Sequence, residues 1–245
     1  MAVLSRLRRQ ARLLYEPAPM AEFEDFDDYW EQRGNIPEVF DRWVIAARLI
    51  PQGARILDLG SGSGDFLRYL ASVRPDVTPV GSDASAKARE MVAAGGFEAI
   101  EIDAMNDELP EGFDVITAFE ILEHLPEAEL ALQRWCSASG SEVILSIPNI
   151  GYLGSRIRLA VFGRFPTTNC VYHIKEHVRH WTLKDFREWT DRLGLRVTHV
   201  EAQYGAPVLR RFWPGLFAKG IVYRVETATS GPSSTSTPGA ASGAT

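Results

Sequence analysis

The hydrophobic positions alternate between two spacings from Ile36 onward. Short apolar runs of the kind found in buried strands occur at RILDL, VTPVGSD, FEAIEID, FDVITAF and EVILSIP. Between them lie longer stretches with apolar residues at helical spacing, namely IPEVFDRWVIAARLI, GDFLRYLASV, SAKAREMVAAG and EAELALQRWCSAS. Strands that alternate with helices in this way predict right-handed crossovers and an α/β fold with a doubly wound, mostly parallel sheet that has helices on both faces.

The alternation stops after the fifth strand. Residues 148–180 predict an insertion on the acceptor side, with a helix in GYLGSRIRLAVFGRFPTT, and TLKDFREWTDRLG predicts a helix that opens at Thr182. The runs LRVTHVEAQYG and LFAKGIVYRVE then predict two closing strands, which form a C-terminal β-hairpin at the edge of a sheet of about seven strands.

The two ends of the chain differ from this central domain, which we place at residues 36–226. Residues 1–35 begin with a basic amphipathic stretch that has no acidic residue before Glu16, and an acidic, aromatic segment follows it. The basic stretch predicts a helix docked on the domain, a peripheral membrane anchor or an organelle-targeting segment. Phe26, Tyr29 and Trp30 of the aromatic segment are expected to cap a pocket or pack on that helix, and residues 227–245 predict a disordered tail.

Composition narrows the functional classes. The chain has 245 residues and a formal charge of −6, which fits one globular domain and argues against non-specific binding of nucleic acid as the main activity. Its two cysteines, Cys136 and Cys170, lack the spacing of a disulfide framework or a zinc finger, which favours a reducing cytoplasm. No apolar run approaches the roughly 20 residues of a transmembrane helix, so we expect a cytoplasmic protein whose membrane contact, if any, is peripheral.

The first strand runs into a glycine-rich turn, ILDLGSGSGDF. Glycines at 60, 62 and 64 permit positive φ and let a ligand approach the backbone closely. A dinucleotide fingerprint that begins at Gly60 requires Gly or Ala at position 65, but Asp65 stands there and its charge opposes a pyrophosphate. The loop therefore favours a ligand with an amino-acid end and a positive centre, such as S-adenosylmethionine, and Asp58 is expected to hold the loop and attract the ligand's ammonium.

These motifs resemble those of class I S-adenosylmethionine-dependent methyltransferases over about Ile36 to Glu226, most specifically in ILDLGSGSG. The resemblance implies their Rossmann-like fold, with Asp83 binding both ribose hydroxyls, Asp103 and the Ala104 backbone beside the adenine, and Phe119 beside the methionine end. The implied cofactor-binding set is Asp58, Gly60, Ser61, Gly62, Asp83, Ala84, Asp103, Ala104, Phe119 and Glu120. The alternative for Asp83 and Asp103 is a helix cap or a turn residue.

The segment EILEHL follows the fourth strand. If it turns helically, Glu120, Glu123 and His124 lie on one face. Three interpretations remain open. Glu123 and His124 cap and orient the turn before Pro126, or His124 acts as a catalytic base beside Glu123 and removes a proton from an acceptor hydroxyl, or the three side chains bind a divalent cation that lowers the pKa of that hydroxyl.

The same ExxEH element is similar to that of ubiquinone-pathway O-methyltransferases and small-RNA terminal 2′-O-methyltransferases. In the RNA enzymes a further histidine completes a metal site, and in KEHVRHWTLKDF this position falls on His177, with His180 as a substitute. The resemblance therefore implies a site for a divalent cation such as Mg²⁺, formed by Glu120, Glu123, His124 and His177.

The insertion resembles the corresponding segment of the methionine-biosynthesis MetW proteins, some of which act as partners of another enzyme. We therefore expect a methyltransferase that acts on a small-molecule, lipid-linked or glycan acceptor, most simply at a hydroxyl, and keep a cofactor-binding regulatory partner as the alternative. Aromatic and basic side chains of the insertion are expected to contact an apolar or anionic acceptor, or else to form its own core and solvated face: Tyr152, Phe162, Phe165, Tyr172, Arg156, Arg158 and Arg164.

Overall fold

The structure is a computed structural model that describes residues 25–33, 38–139, 142–166 and 177–228. The strands are β1 (Arg55–Leu59), β2 (Thr78–Asp83), β3 (Glu98–Glu101), β4 (Val115–Phe119), β5 (Glu142–Pro148), β6 (Leu195–Gly205) and β7 (Ala218–Thr227). The helices are α1 (Phe26–Arg33), α2 (Asp41–Leu49), α3 (Asp65–Val73), α4 (Ala86–Ala94), α5 (Ala128–Ser139), α6 (Leu153–Phe162), α7 (Leu183–Arg192), α8 (Leu209–Phe212) and α9 (Pro214–Phe217). A 3₁₀ turn covers Leu122–His124.

The strands form one seven-stranded sheet in the order β3-β2-β1-β4-β5-β7-β6. The pairs from β3 to β5 are parallel, whereas β7 runs antiparallel between β5 and β6. The predicted mostly parallel sheet and the closing hairpin are both confirmed. Because β6 runs antiparallel to β7, its end at Gly205 lies at the same edge as the ends of the parallel strands, where open α/β sheets bind ligands.

Helices cover both faces of the sheet. On one face, Trp43 of α2 and Phe66 of α3 pack with Ile144 of β5, and on the other, Trp135 of α5 and Phe186 of α7 share a core with the remaining apolar residues of the same strands. Strands that are buried on both faces are apolar along their whole length. This explains why the central strands appear in the sequence as continuous apolar runs.

Two helix starts are fixed by side-chain caps. Thr182 begins α7 with a capping box, in which its hydroxyl and the Asp185 side chain bond to each other's backbone N–H. This is the start that the sequence predicts. Ser85 caps α4 and accepts a hydrogen bond from the Ala88 N–H, which fixes that helix directly after β2.

Several predicted features lie outside the described residues: the basic N-terminal stretch, Cys170, Tyr172 and residues 229–245. The acidic, aromatic segment is described as α1, and its Trp30 packs against the glycine-rich turn at Gly62. Within the described parts of the chain, no helix combines the length and apolar composition needed to cross a bilayer. The boundaries of the three predicted segments stay predictions.

Candidate active site

The glycine-rich turn joins β1 to α3 with a left-handed backbone. Gly60 has φ 63° and Gly62 has φ 52°, which side-chain-bearing residues rarely adopt. A Cβ at Gly60 would collide with Ile121, and one at Gly62 would collide with Trp30. The turn thus brings its bare backbone against α1 and the segment after β4. Asp65 is the first residue of α3, and its carboxylate forms an ion pair with Arg68 at 2.7 Å.

Asp83 ends β2 and ties the turn to the next helix. Its Oδ2 accepts a hydrogen bond from the Gly62 N–H and its Oδ1 accepts one from the Ser85 N–H, both at 2.9 Å. Beside it, the Ser61 N–H and hydroxyl both donate to the Ser82 carbonyl. Burial raises the pKa of Asp83 although these hydrogen bonds oppose the shift. The side chain therefore occupies the place that the sequence predicts, between the loop and the carboxyl end of β2.

Asp58 lies in β1 just before the turn and is 3% exposed. The Thr117 hydroxyl of β4 donates to its Oδ1 at 2.6 Å. Burial raises the pKa of Asp58 to about 7, and the Thr117 hydrogen bond limits this rise. Asp58 is thus a buried carboxyl group that a positive ligand would ionise.

Arg42, a charged residue that sequence reasoning missed, acts on Asp58. Arg42, in the first turn of α2, stacks its guanidinium on Phe40 at 4.3 Å, and its buried Nε has no hydrogen-bond partner among the described residues. The positive charge of Arg42 lowers the pKa of Asp58 and also that of Tyr204, although burial, the larger effect, raises both pKa values. The helix DRWVIAARL has two arginines, and only the fold shows that Arg42 is the one that acts on Asp58.

Asp103 and Ala104 follow β3 and already have partners. The carboxylate of Asp103 accepts hydrogen bonds from the Met105 N–H at 2.9 Å and from the Asn106 side chain at 2.7 Å. Partial burial opposes the shift, but these hydrogen bonds lower the pKa of Asp103. The Ala104 carbonyl accepts a hydrogen bond from the Trp135 indole at 2.8 Å. These bonds stabilise a turn, so the adenine contact stays a prediction. At Ala84, the carbonyl accepts a hydrogen bond from Arg89.

The end of β4 departs from a simple helical turn. The Phe119 ring packs edge-to-face on Phe66, with 4.8 Å between ring centroids. Glu120 has φ 56°, a left-handed conformation that costs roughly 1–2 kcal/mol for a residue with a side chain. The 3₁₀ turn begins only at Leu122, so Glu120 is not on a shared helical face with Glu123 and His124. Its Oε1 instead accepts hydrogen bonds from Ser146 and Gln203.

Three side chains from distant segments do converge. Potential ligand atoms of Glu123, His124 and His177 lie within 4.8 Å of one another, and the His124 and His177 rings meet edge to face. The Glu123 carbonyl accepts the N–H groups of Val178 and Arg179, which anchors the segment that carries His177. Among the described residues, this group of possible metal ligands does not include Glu120.

His177 is uncharged in this cluster. Its Nε2 lies 3.8 Å from Glu123 Oε1, a separation that suits an ion pair only if the imidazole is protonated. Burial, with repulsion from His124 and His180, lowers the pKa of His177 to about 3, so we assign a neutral ring. Neutral imidazole is the form that binds metals or accepts protons. His180 is exposed and packs edge to face on Phe165.

The described part of the insertion contains exposed apolar residues and two arginines that donate hydrogen bonds to backbone carbonyls. Phe162 and Phe165 are 43% and 46% exposed. Arg158 is buried and donates to the Phe165 carbonyl at 2.9 Å, and Arg156 donates to the Gly151 carbonyl. Both arginines therefore stabilise the insertion itself, whereas Arg164 is exposed. Tyr152 lies under the Lys219 ammonium.

A family model described as a methyltransferase domain matches residues 29–200. The chain belongs to this methyltransferase family. The match begins inside α1, includes the glycine-rich turn and the ExxEH element, and ends within β6. It confirms the class I S-adenosylmethionine-dependent methyltransferase that the sequence resembles.

Individual relatives agree with this assignment. The methyltransferase is 25% identical over 219 residues to the ubiquinone biosynthesis O-methyltransferase of Albidiferax ferrireducens, a match that covers 81% of this chain and 84% of the relative. For two other proteins of that description, from Paracidovorax citrulli and Xanthomonas campestris, the match spans only 55% and 47% of their length.

Solved structures confirm the fold. A TehB-like S-adenosylmethionine-dependent methyltransferase from Corynebacterium glutamicum superposes with a TM-score of 0.53 at 18% identity, covering 82% of this chain and 97% of that chain. NcsB1, an O-methyltransferase from neocarzinostatin biosynthesis in complex with S-adenosylmethionine and a hydroxylated naphthoic acid, superposes with a TM-score of 0.52 at 16% identity, covering 74% and 52% of the two chains.

Proposed function

We propose that this methyltransferase transfers the methyl group of S-adenosylmethionine to a hydroxyl of a small-molecule acceptor, which includes a lipid-linked molecule or a glycan. The observation that carries the proposal is the Asp83 carboxylate, which is held between the glycine-rich turn and the start of α4 by the N–H groups of Gly62 and Ser85. A carboxylate fixed in this way has further lone pairs for two ribose hydroxyls.

Asp58 and Arg42 carry groups that complement the two charges at the amino-acid end of the cofactor. Asp58 offers a buried carboxyl group to the ammonium, and the unpartnered Nε of Arg42 offers a donor to the carboxylate. With its amino-acid end bound there, the cofactor would have its sulfonium near the end of β4. Because displacement at the methyl carbon needs an in-line approach, positioning supplies much of the catalysis.

Hydroxyl acceptors are favoured by the imidazoles beside Glu123, because an imidazole can accept a proton from a hydroxyl. His124 is only partly buried, whereas the side chains of His177 and Glu123 are nearly enclosed. In this role His124 removes the acceptor proton and Glu123 and His177 orient its ring. The O-methyltransferases among the relatives act on oxygen, which agrees with this choice.

The same three side chains also fit a divalent cation, which forms the competing proposal for this cluster. Two imidazoles and one carboxylate suit Zn²⁺, Fe²⁺ or Mn²⁺ better than Mg²⁺, which prefers oxygen ligands. A cation held there would lower the pKa of a bound acceptor hydroxyl. In that case His124 is a ligand and the proton leaves through another group.

Transfer itself is tested with radiolabelled S-adenosylmethionine and a panel of phenols, quinol precursors, hydroxylated lipids and glycans. We expect label to pass to at least one hydroxylated acceptor and to be lost when that hydroxyl is methylated beforehand. Cofactor binding without transfer to any acceptor, but with stimulation of another enzyme that co-purifies with the protein, would instead support the regulatory alternative.

The two roles of the histidine cluster are separated by metal content and variants. If the cluster binds a metal, His177→Ala lowers the affinity for added Zn²⁺ or Mn²⁺ by about tenfold or more and a chelator abolishes transfer. If His124 is the base, a chelator has no effect, and His124→Ala abolishes transfer without changing the affinity for the cofactor. His199→Ala is the matched control, because that histidine pairs with Glu201 on β6 outside the cluster.

A further inference from the structure

The Glu120 side chain is held by two hydrogen-bond donors, one from β5 and one from β6, and β7 lies between those two strands. The Ser146 hydroxyl of β5 donates to its Oε1 at 2.7 Å, and the Gln203 amide of β6 donates to the same oxygen at 3.1 Å. Ser146 is 0% exposed and Gln203 is 1% exposed, so both donors are fixed by their surroundings. Two donors on one oxygen leave the second carboxylate oxygen of Glu120 available for a ligand.

The intervening strand β7 is shaped to allow this reach. Gly220 pairs with Gln203 across the β6–β7 ladder. A Cβ at Gly220 would lie 2.6 Å from Gln203 Nε2, so any larger residue would push the amide away from Glu120. The left-handed backbone of Glu120 turns its side chain toward these donors. Strain of this kind persists where the surrounding contacts enforce it, which is common at functional sites.

The Glu120 carboxylate is positioned by hydrogen bonds, but no positively charged side chain among the described residues pairs with it. Both donors are uncharged, and Glu120 forms no ion pair among the described residues. The second polar atom of the Gln203 amide, Oε1, is buried without a hydrogen-bond partner. A negative carboxylate beside an unused acceptor matches a positively charged ligand.

The Glu120 carboxylate lies close in the chain to a residue that contacts the glycine-rich turn. Ile121, the next residue, packs on Gly60, so the group lies at the same sheet edge as the glycine-rich turn. A cofactor on that turn has two positive groups: an ammonium, which the proposed function assigns to Asp58, and a sulfonium at its reacting end.

We propose that Glu120 is the carboxylate that faces the sulfonium of S-adenosylmethionine, with Ser146 and Gln203 as its positioning residues. The inference rests on the proposed function. During transfer the acceptor oxygen bonds to the methyl carbon, the carbon–sulfur bond breaks with its electron pair remaining on sulfur, and the acceptor proton is released. The sulfonium becomes a neutral thioether, so Glu120 favours the charged substrate over the neutral product.

Calorimetry with S-adenosylmethionine and S-adenosylhomocysteine tests this without an acceptor, because the two ligands share the ammonium and differ at sulfur. For Glu120→Gln in the full chain, we expect about tenfold weaker binding of S-adenosylmethionine, or about 1.4 kcal/mol, and less than about twofold weaker binding of S-adenosylhomocysteine. Gln203→Leu and Ser146→Ala should each lower the affinity ratio of the two ligands in the same direction by a smaller factor.

Glu201→Gln is the matched control. Glu201 lies on the same strand as Gln203, but its carboxylate pairs with Arg48 of α2. This variant should leave the affinity ratio unchanged. If Glu120→Gln and Gln203→Leu weaken both ligands by one common factor, or weaken neither, the inference is wrong, whatever their effect on folding. If the wild-type chain binds neither ligand, the proposed function itself fails first.

Discussion

At the scale of single residues, the buried carboxyl group of Asp58 makes cofactor binding depend on pH. Burial raises its pKa to about 7, so the folded protein keeps a proton that the unfolded chain releases near its ordinary value of 3.8. Asp58 therefore favours the folded state at acidic pH, and this contribution is lost as the pH rises toward about 7. A cationic ligand favours the opposite protonation state of Asp58, because it binds the ionised carboxylate.

We therefore predict that the affinity for S-adenosylmethionine rises between about pH 6 and pH 8 with a midpoint near the pKa of Asp58. Thr117→Val removes the hydroxyl that stabilises the ionised carboxylate, so the midpoint should move to higher pH, whereas Thr117→Ser should retain it. Calorimetry across this range measures both. An affinity that is equally flat in wild type and Asp58→Asn would contradict the assignment.

The residues that the sequence predicts best are those whose place depends on one strand alone. Asp58, Gly60, Gly62 and Asp83 lie where the strand–turn–helix pattern puts them. Gln203 could not be linked to Glu120 from sequence, since the contact requires β7 to lie between β5 and β6 and Gly220 to leave room. The left-handed backbone at Glu120 likewise has no sequence signal, because neither neighbour, Phe119 or Ile121, is a typical turn residue.

At the scale of elements, α1 acts as a cover for the glycine-rich turn. The Asp27 carboxylate accepts hydrogen bonds from the Ser85 hydroxyl and the Lys87 N–H, which ties α1 to the start of α4. Trp30 then lies directly on Gly62. The sequence predicts that this aromatic segment caps a pocket or packs on the N-terminal helix, and in the structure Trp30 lies against the backbone of Gly62.

We predict that Trp30→Ala weakens S-adenosylmethionine binding by about tenfold, because the ring shields the cofactor loop from water. Trp30→Phe should retain most of the affinity. Glu31→Gln on the same helix is the control, since the ion pair that Glu31 forms with Lys87 among the described residues is a distant one at 3.9 Å. Tighter binding by Trp30→Ala would mean that the ring occupies the place of the cofactor.

The spacing of apolar residues predicts the longer strands and helices, but it does not predict the shortest helices. Strand and helix patterns from β1 to β5 predict the observed elements because each is long enough to show a period. Helix α8 lies in the connection between the two predicted closing strands, and α9 takes up the first two residues of the predicted strand LFAKGIVYRVE, since one turn of helix has no measurable period. The exposure of Phe212, at the end of α8, and of Trp213, between α8 and α9, depends on where the fold places these helices.

At the scale of the whole molecule, the sheet brings separate parts of the chain to one edge. The turn after β1, Asp83 after β2, Glu120 after β4 and Gln203 near the end of β6 all lie there, although Gly60 and Gln203 are far apart in sequence. A ligand at this edge binds the folded chain only, so it should raise the free energy of unfolding in proportion to the logarithm of its concentration.

The most direct measurement is calorimetric titration of the full chain with S-adenosylmethionine, compared with Asp83→Asn and Asp76→Asn. Asp76 is a matched control, because its carboxylate also accepts a glycine N–H, that of Gly53 at 3.0 Å, away from this edge. We predict one cofactor per chain, at least about tenfold weaker binding by Asp83→Asn, and unchanged binding by Asp76→Asn. No binding by the wild type, or equal binding by all three proteins, would contradict the account.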